Sequence, residues 1–361
     1  MSLKKIAQLA GTSVATVSRV LNHPEHRCNE FGLSEKIWDI AAQLNYIPNT
    51  TARDLRLGKT PESAPFTIDI FLTRFDSLEK DTFFLELFQF VKKELLSAGC
   101  LLGDILNSIN IMDLIGMSTD SGQPPYVSPK HRINNETTSS TPLIPHKENT
   151  GLIILGKCPS KIIPILQKRY YYIAGIDRNP TNYEYDEVVC NGTTAAEKAI
   201  EYLITLGHKN IAYIGDCTYE SRYIGYYQTL LSHKLPLNHT NVHPTNQTQE
   251  EGYHTMLSII QMKEKPTAIF CANDSTALGV LKALKQNRKK GYIPSVISID
   301  NITASQKTSP MLTTIDIPKK EMAHLALTLL LDRRNKCHKE NVRIELPCKL
   351  IERESCTYYQ G

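Results

Sequence analysis

A chain of 361 residues is longer than one hydrophobic core usually supports, so we expect two or three domains. Its hydrophobic fraction of 41% and charged fraction of 22% exclude a largely disordered chain, a collagen and a coiled coil, while the net charge of +4 identifies no partner by itself. No apolar run reaches the roughly 18 residues needed to cross a bilayer, and the first residues form no signal-peptide core. We therefore expect a cytoplasmic protein with no membrane partner.

The nine cysteines are scattered, and no two have the Cys-x-x-Cys spacing typical of zinc and redox sites. We interpret them as free, mostly buried thiols, and we expect neither a metal nor a cofactor. They are Cys28, Cys100, Cys158, Cys190, Cys217, Cys271, Cys337, Cys348 and Cys356.

The first 46 residues predict three short helices, because their apolar residues recur three and four positions apart. These residues are Ile6, Leu9 and Ala10, then Val17, Val20 and Leu21, and finally Ile37, Ile40, Ala41 and Leu44. Between the first two groups, Gly11 permits a tight turn and the Ser13 hydroxyl can accept hydrogen bonds from the first amides of the next helix. The pattern is a helix, a turn and a helix, followed by a third helix.

Proline cannot continue a helix, so Pro48 ends the third one, and Asn49 can cap a short helix that runs to Leu57. Residues 58–65 form a linker. Beyond it, short β-rich runs alternate with helical runs, which predicts parallel sheets covered by helices. The strands are 67–72, 151–155, 171–176, 211–214, 268–271 and 296–299, and the helices are 83–98, 161–166, 195–206, 222–231, 252–262, 276–286 and 321–331. Residues 116–150 are polar, follow neither period and predict a long loop.

Lys5–Asn22 closely resembles the operator-reading segment of the LacI/GalR family of transcriptional regulators. The resemblance continues through Leu44–Asn49 and Ala52–Leu55, which are similar to the end of the family's third helix and to its hinge helix. It implies an all-α helix-turn-helix domain at residues 1–57, with a hinge helix at about 49–57, the linker at 58–65 and a core at 66–361.

Residue spacing supports a DNA-reading role for the second helix independently. On a helix that begins near Ser13, three apolar residues point inward, whereas Val14, Ala15, Ser18, Arg19 and Asn22 face outward. Such a surface suits a major groove, where an arginine can donate two hydrogen bonds to guanine and small apolar side chains can contact thymine methyl groups. We therefore assign base contacts to Arg19, Val14 and Ala15, and phosphate contacts to Ser13, Thr16, Ser18 and Asn22. The alternative for each hydroxyl is a helix cap or a solvated face.

By resemblance, Asn49, Ala52, Arg53 and Leu55 approach DNA from the hinge, with Leu55 wedged into the minor groove. The alternative is that Leu55 packs on its own domain. Two features depart from the family pattern: the loop from His23 to Phe31 is longer than usual, and Asp54 places an acidic group beside a hinge that must approach phosphates.

The later part of the chain also resembles the family, at Leu206–Gly215, Ser221–Tyr226, Ala272–Gly279 and Pro310–Ile315. Cores of this kind are similar to periplasmic sugar-binding proteins, which are α/β proteins of two Rossmann-like lobes. The implied first lobe takes residues of about 66–189 and 319–346, and the second takes about 190–318 and 347–361. The cleft between two such lobes is where a small ligand binds.

The resemblance implies an effector-binding set of Arg222, Asn273 and Asp300, with Asp177 and Thr73 as weaker candidates. A guanidinium, an amide and a carboxylate can bond to adjacent hydroxyl groups of a sugar. The alternatives are a surface ion pair for Arg222, a helix N-cap for Asn273 and a turn-forming role for Asp300. Aromatic residues that could cover the sugar are Phe75, Tyr183, Tyr219 and Tyr253, and His208 is interpreted as a structural turn residue.

Enzyme motifs are absent from the sequence: Gly58–Thr60 ends like a phosphate loop, but Arg53 occupies the place of the required glycine. We expect a repressor that a sugar releases from its operator. Val14–Ala15 resembles galactose-type repressors and 150–157 resembles the evolved-β-galactosidase repressor, so galactoside-utilisation genes are the expected target. The alternatives are a regulator of the same family that senses a nucleoside or purine, and a non-DNA-binding module or enzyme. Because one helix-turn-helix reads a half-site, we also expect a homodimer on a near-palindromic operator.

Overall fold

The computed structural model describes residues 3–22, 32–44, 46, 66–73, 81–107, 149–177, 179–218, 220–288 and 291–359. The predicted hinge helix with Asn49, Ala52, Arg53 and Leu55, the linker, and the polar segment up to residue 148 lie outside these residues, as do Phe75 and Tyr219.

Three helices form the N-terminal part, α1 (Leu3–Ala10), α2 (Val14–Asn22) and α3 (Leu33–Gln43). Gly11 adopts a φ of +72° in the predicted turn, and the Ser13 hydroxyl accepts a hydrogen bond from the amide of Thr16 at 3.1 Å, as expected for a cap. The predicted inward residues are buried except Leu44, which is half-buried, and Leu9. Leu9 is 52% exposed, because Ile6 and Ala10 already fill the inward face of α1.

The core has the predicted alternation of strands and helices, together with strands that the sequence does not predict. It begins with β1 (Thr67–Leu72), α4 (Thr82–Ser97), β2 (Leu101–Asn107), β3 (Thr150–Leu155), α5 (Ile163–Arg169), β4 (Tyr172–Asp177) and β5 (Asp186–Val189). It continues with α6 (Gly192–Thr205), β6 (Ile211–Gly215), α7 (Ser221–Ser232), β7 (Val242–Pro244), α8 (Gln249–Gln261), β8 (Ala268–Cys271), α9 (Asp274–Gln286) and β9 (Ser295–Asp300). It ends with β10 (Thr313–Asp316), α10 (Lys319–Arg334), β11 (Arg343–Glu345) and β12 (Lys349–Ile351).

The first sheet has the strand order β11-β5-β4-β3-β1-β2, and its described strands all run parallel. Both of its faces are covered. On β1, Ile68 and Ile70 belong to the same buried cluster as residues of α4 and α10, whereas Phe71 packs with residues of α5 on the other side. Burial on both faces explains why the strand is a nearly continuous apolar run.

The second sheet has the order β12-β10-β9-β8-β6-β7, in which β12 is antiparallel to β10 and the other pairs are parallel. Helices α6 and α7 contribute to the buried cluster on one face, and α8 and α9 pack on the other. The backbones of α8 and α9 approach closely at Gly279, where a Cβ atom would lie 1.9 Å from the carbonyl oxygen of Gln249. Glycine at this position therefore permits the packing of the two helices.

The chain passes from the first sheet to the second after β5, returns after β10, and passes over again after β11. Three crossover segments thus join two α/β lobes. We call the lobe built on the first sheet the first lobe, and the other the second lobe. Within the described residues, no helix combines the length and the apolar character required to cross a bilayer.

Candidate functional site

A cavity of about 750 Å³ lies between the two lobes. Its walls are formed mainly by residues at or just beyond the carboxyl ends of β1, β3 and β4 in the first lobe, and of β6 and β7 in the second. Parallel α/β sheets bind ligands at this edge. The first lobe contributes Thr73, Phe84, Lys157, Asp177 and Asn179, and the second contributes Asp216, Thr218, Glu220, Arg222, Asn246 and Gln247, among others.

Arg222 is the most strongly held of these side chains. Its Nε atom donates to Oε1 of Glu220 at 2.7 Å, Nη1 donates to the carbonyl oxygen of Ala272 at 2.6 Å, and Nη2 donates to Oε1 of Gln247 at 2.9 Å. Burial opposes the charge, but the nearby Glu220 carboxylate outweighs it and raises the pKa of Arg222 above its usual value. Because Arg222 is 2% exposed, its ion pair is an internal one, not the surface pair considered from the sequence.

Thr73 and Asp177 also line the cavity, from the first lobe. The Thr73 hydroxyl donates to the carbonyl oxygen of Leu155 at 3.1 Å, which fixes its position beside the end of β3. Asp177 is the last residue of β4 and is half-buried. The structure therefore brings these two candidates to the same cavity as Arg222, across the cleft between the lobes.

Asn273 and Asp300 are held behind this wall. The Asn273 side chain accepts from the amide of Thr276 at 2.9 Å and donates to the carbonyl oxygen of Gln247 at 3.1 Å, so it is the N-cap of α9, the role considered as the alternative. Asp300 is 2% exposed and helps to raise the pKa of Arg222. Neither residue is among those that line the cavity, and direct contact with an effector stays a prediction for both.

The predicted aromatic residues lie elsewhere or outside the described residues. Tyr183 is 53% exposed beneath the guanidinium of Arg343, and Tyr253 donates its hydroxyl to Gln286 between α8 and α9. The cavity instead contains Phe84, which the helical periodicity of α4 marks as an ordinary core residue. Asn179 and Gln247 are likewise not predicted, because their roles depend on which strand ends meet.

Two sets of hydrogen bonds join the lobes, one of them at the cavity. Oδ1 of Asn179 in the first lobe accepts from the amide of Ser221 at the start of α7, at 3.2 Å. On α10, Nζ of Lys319 donates to the carbonyl oxygen of Asp300 at 2.6 Å and lies 3.4 Å from Oε2 of Glu86. Oε1 of Glu86 in turn accepts from the amide of Thr303 at 2.7 Å. A change in the angle between the lobes would alter these contacts.

His208 is structural, in agreement with its interpretation from the sequence. Its Nε2 atom lies 2.9 Å from the hydroxyl of Ser295 and 3.0 Å from the carbonyl oxygen of Thr357, and Nδ1 lies 3.0 Å from the hydroxyl of Thr267. Burial lowers the pKa of His208, which favours the neutral imidazole. In the described residues, no group of three or more metal-ligating side chains is placed to hold an ion.

The second candidate surface is the outer face of α2. Val14, Ala15 and Arg19 are exposed together, whereas the apolar residues of the opposite face are buried. Ser13 is exposed, Thr16 and Ser18 are half-buried, and Asn22 ends the helix. The Ser13 hydroxyl accepts from the amide of Thr16 at 3.1 Å and lies 2.9 Å from the Thr16 hydroxyl, so it caps α2. An exposed face with one arginine between small side chains can enter a major groove.

Comparison with known families matches two parts of the chain. Residues 2–49 match the lacI family of bacterial regulatory proteins, and residues 200–356 match the periplasmic binding protein-like domain. The first match covers α1 to α3, and the second covers most of the second lobe together with α10 and β11.

Similar proteins include the transcriptional repressor PurR of Mannheimia succiniciproducens, which is 27% identical over 98% of both chains. The probable transcriptional repressor ExuR of Bacillus subtilis is also 27% identical, over 92% of this chain and 91% of its own. Among solved structures, the regulator CelR in complex with cellobiose has a TM-score of 0.65 at 20% identity, covering 99% of this chain and 100% of its own. The lac repressor dimer bound to operator and the anti-inducer ONPF has a TM-score of 0.63 at 18% identity, covering 99% of both chains.

Proposed function

We propose, from the premise that this chain belongs to the LacI family of bacterial transcriptional repressors, that a sugar binds in the cavity between its lobes and releases the protein from operator DNA. The observation that carries the proposal is the polar lining of the cavity, which places Asp177 and Thr73 on one wall and Arg222 on the other. Carboxylate, hydroxyl and guanidinium groups together can satisfy several adjacent hydroxyl groups of one ring.

The alternative effector is a nucleoside or purine, and the similarity to PurR supports it. A purine base is best held between two flat aromatic faces, because stacking covers both sides of its ring. Among the described lining residues, Phe84 is the aromatic side chain. The described part of the cavity therefore favours a ligand rich in hydroxyl groups over one with a large flat ring.

Effector binding and DNA release can be coupled through the angle between the lobes. A ligand that contacts Asp177 and Arg222 together binds one arrangement of the lobes more tightly than others, and its differential affinity shifts the population toward that arrangement. The inter-lobe bonds of Asn179 and Lys319 would change with it. The hinge helix predicted at about residues 49–57, outside the described residues, is short enough to be marginal in isolation, and we propose that it would then lose or gain its support on the core.

A homodimer fits the same function, because two copies of α2 could read both halves of a near-palindromic operator. The second lobe carries an apolar surface suited to such an interface. Ile293 is 76% exposed and lines a groove of about 410 Å³, together with Leu281, Leu284 and Pro310. Met311, next to Pro310 in the sequence, is 37% exposed. We propose this surface, which we call the Ile293 face, as part of the dimer interface. Ile293→Glu should then shift the mass in solution toward that of one chain.

The effector proposal is tested by thermal unfolding of the full chain with galactosides, other sugars, nucleosides and purines. A ligand at 100 times its Kd adds about 2.7 kcal/mol to the free energy of unfolding, which is a readily measured shift. Galactosides come first because Val14–Ala15 resembles galactose-type repressors and residues 150–157 resemble the evolved-β-galactosidase repressor. We expect the shift to disappear in Asp177→Asn and to persist in Asp332→Asn, a control on α10. A shift with nucleosides or purines alone would favour the alternative, and unchanged operator affinity with a bound sugar would contradict release.

A further inference from the structure

Two buried cysteines meet where the lobes are joined. Cys190 follows the last residue of β5, in the first crossover, and Cys348 lies between β11 and β12, in the third. Because β5 and β11 are parallel neighbours, with Glu345 opposite Val189, the two crossovers leave the first sheet side by side. The amide of Leu346 donates to the carbonyl oxygen of Val189 at 2.8 Å, which holds the segments together.

Cys190 and Cys348 pack in the same buried cluster, where the Cys190 thiol acts on Cys348 through a side-chain hydrogen bond. This hydrogen bond and the charge of Lys198 together lower the pKa of Cys348, although burial acts in the opposite direction. The contrast with other buried cysteines of the chain is clear, since burial raises the pKa of Cys100 to about 11 and that of Cys158 to about 12. The thiolate is the form that reacts with oxidants, so Cys348 is the more reactive member of the pair.

The pair also lies next to the effector cavity. The amide of Cys190 donates to the carbonyl oxygen of Asp177, a lining residue, at 3.2 Å. Two residues further on, Gly192 packs so closely on α7 that a Cβ atom there would lie 2.2 Å from the Ser221 hydroxyl. Ser221 directly precedes Arg222. Cys190 is therefore connected to one lining residue of each lobe: directly to Asp177, and through Gly192 and Ser221 to Arg222.

We propose that Cys190 and Cys348 form a reversible disulfide that restrains the lobes and weakens the response to the effector. The effect on the response rests on the proposed function, whereas the bond itself does not. With hydrogen peroxide as the oxidant, the Cys348 thiolate attacks one oxygen atom and becomes a sulfenic acid as the O–O bond breaks and hydroxide leaves, which takes up the proton that the thiol had released and becomes water. The Cys190 thiol then attacks that sulfur, forming the S–S bond and releasing a second water. The two thiols are oxidised and one peroxide is reduced.

A disulfide at this position would tie two of the three crossovers to each other. The rotation between the lobes on effector binding must occur at these crossovers, because they are the covalent connections between the lobes. A cross-link that fixes two of them reduces the difference between the arrangements that the effector can select. Both cysteines are at most 5% exposed, so the oxidant must enter as the lobes open. We expect oxidation to be slow compared with that of an exposed thiol.

The bond is tested by treating the full-length protein with hydrogen peroxide, blocking the remaining thiols and mapping the peptides by mass spectrometry. We expect a linked pair of peptides containing Cys190 and Cys348, a loss of two hydrogen atoms, and reversal by dithiothreitol. Cys190→Ser and Cys348→Ser should each abolish the linked pair. Cys337→Ser, at an exposed position, is the matched control and should leave it unchanged. A disulfide between other cysteines, or sulfinic acid at Cys348 without a disulfide, would overturn the proposal.

The effect on regulation is read by operator binding, with reduced and oxidised protein and with the effector found in the thermal screen. Effectors typically change the affinity of such proteins by about 5–150-fold, and we expect oxidation to reduce this factor at least several-fold. Cys190→Ser should keep the full response after peroxide. An equal response in oxidised and reduced protein would overturn the regulatory part. A disulfide found in a protein that binds no sugar would refute the proposed effector and leave the redox pair intact, so the two failures are distinguishable.

Discussion

Glu220 and Arg222 form an ion pair within the wall of the cavity between the lobes, with 2.7 Å between Oε1 and Nε and side chains 9% and 2% exposed. The pair belongs to the first turn of α7, where Glu220 is the N-cap and its carboxylate also accepts from the amide of Arg222. Arg222 can therefore present its remaining N–H groups to the cavity without carrying an uncompensated buried charge.

Removal of the Glu220 carboxylate should destabilise the protein, because the buried charge of Arg222 would lose its partner. Breaking a buried ion pair by removing one partner typically costs about 3–5 kcal/mol, because the other charge stays buried without compensation. We expect Glu220→Ala to lower the free energy of unfolding by about this amount, as measured by urea denaturation. Glu220→Gln keeps an acceptor oxygen and should cost less. Equal small losses in both variants would show that the carboxylate contributes little to holding Arg222.

Arg19 provides a test of the DNA-reading surface. It is exposed on α2, so Arg19→Ala should leave the thermal stability almost unchanged. If Arg19 reads a guanine, the variant should lose about 1–3 kcal/mol of discrimination between operator and random DNA, measured by fluorescence anisotropy at fixed salt. Lys265→Ala, in the second lobe, is the control. Equal losses of Arg19→Ala on operator and random DNA would instead indicate a phosphate contact.

The change in stability caused by Gly279→Ala distinguishes helix propensity from close packing, because the two effects predict opposite signs. Helix propensity alone predicts that Gly279→Ala stabilises α9 by about 1 kcal/mol. The added Cβ, however, would meet backbone atoms of α8, including the amide nitrogen of Tyr253 at 2.7 Å, which cannot move aside without separating the helices. We expect a net destabilisation of about 1–3 kcal/mol. Gly291→Ala is the contrast, because its cost would come from a φ of +72° in open space. A stabilised Gly279→Ala protein would refute the close packing.

Asp274 should make the stability depend on pH. Its carboxylate is fully buried and accepts from Ser298, Thr314 and the amide of Ile302, and burial together with the nearby Asp300 raises its pKa to about 7. The native state thus keeps a proton that the unfolded state loses near pH 4, so the free energy of unfolding should fall as the pH rises from about 4 to about 7.

The measurement for Asp274 is urea denaturation at about pH 5 and about pH 8, with Asp274→Asn as the variant. The variant has no carboxyl group to titrate, so its stability should change less between the two pH values than that of the original protein, whatever its absolute stability. Asp332→Asn should retain the original dependence. The same pH dependence in Asp274→Asn would assign the effect to other groups.

How far the sequence predicts the fold depends on the burial of each element. Strands such as β1, β3 and β8 are covered on both faces and form nearly continuous apolar runs, so their bounds are predicted within one or two residues. Strand β2 contains exposed Asp104, and β7, β11 and β12 have three residues each at sheet edges. Their apolar signals are short or interrupted, and it is pairing with a neighbouring strand that defines them.

The candidate site, like the fold, contains residues that the sequence predicts and residues that it does not. Arg222, Asp177 and Thr73 follow from the resemblance and lie at the cavity. The hydrogen bonds of Asn273 show that a residue next to a predicted site can serve the helix instead. Asn179 contacts Ser221 across 42 positions of sequence, and no local pattern marks such a pair.

The three crossovers have a consequence for synthesis on the ribosome. Nearly all of the second lobe, from α6 to β10, is one continuous stretch, whereas the first lobe lacks its covering helix α10 and its edge strand β11 until residue 345 has been made. Leu327 and Leu330 of α10 belong to the same buried cluster as Ile68 and Ile153. The first lobe is therefore translated first but completed last. The apolar face of its sheet would remain uncovered by α10 while the second lobe folds.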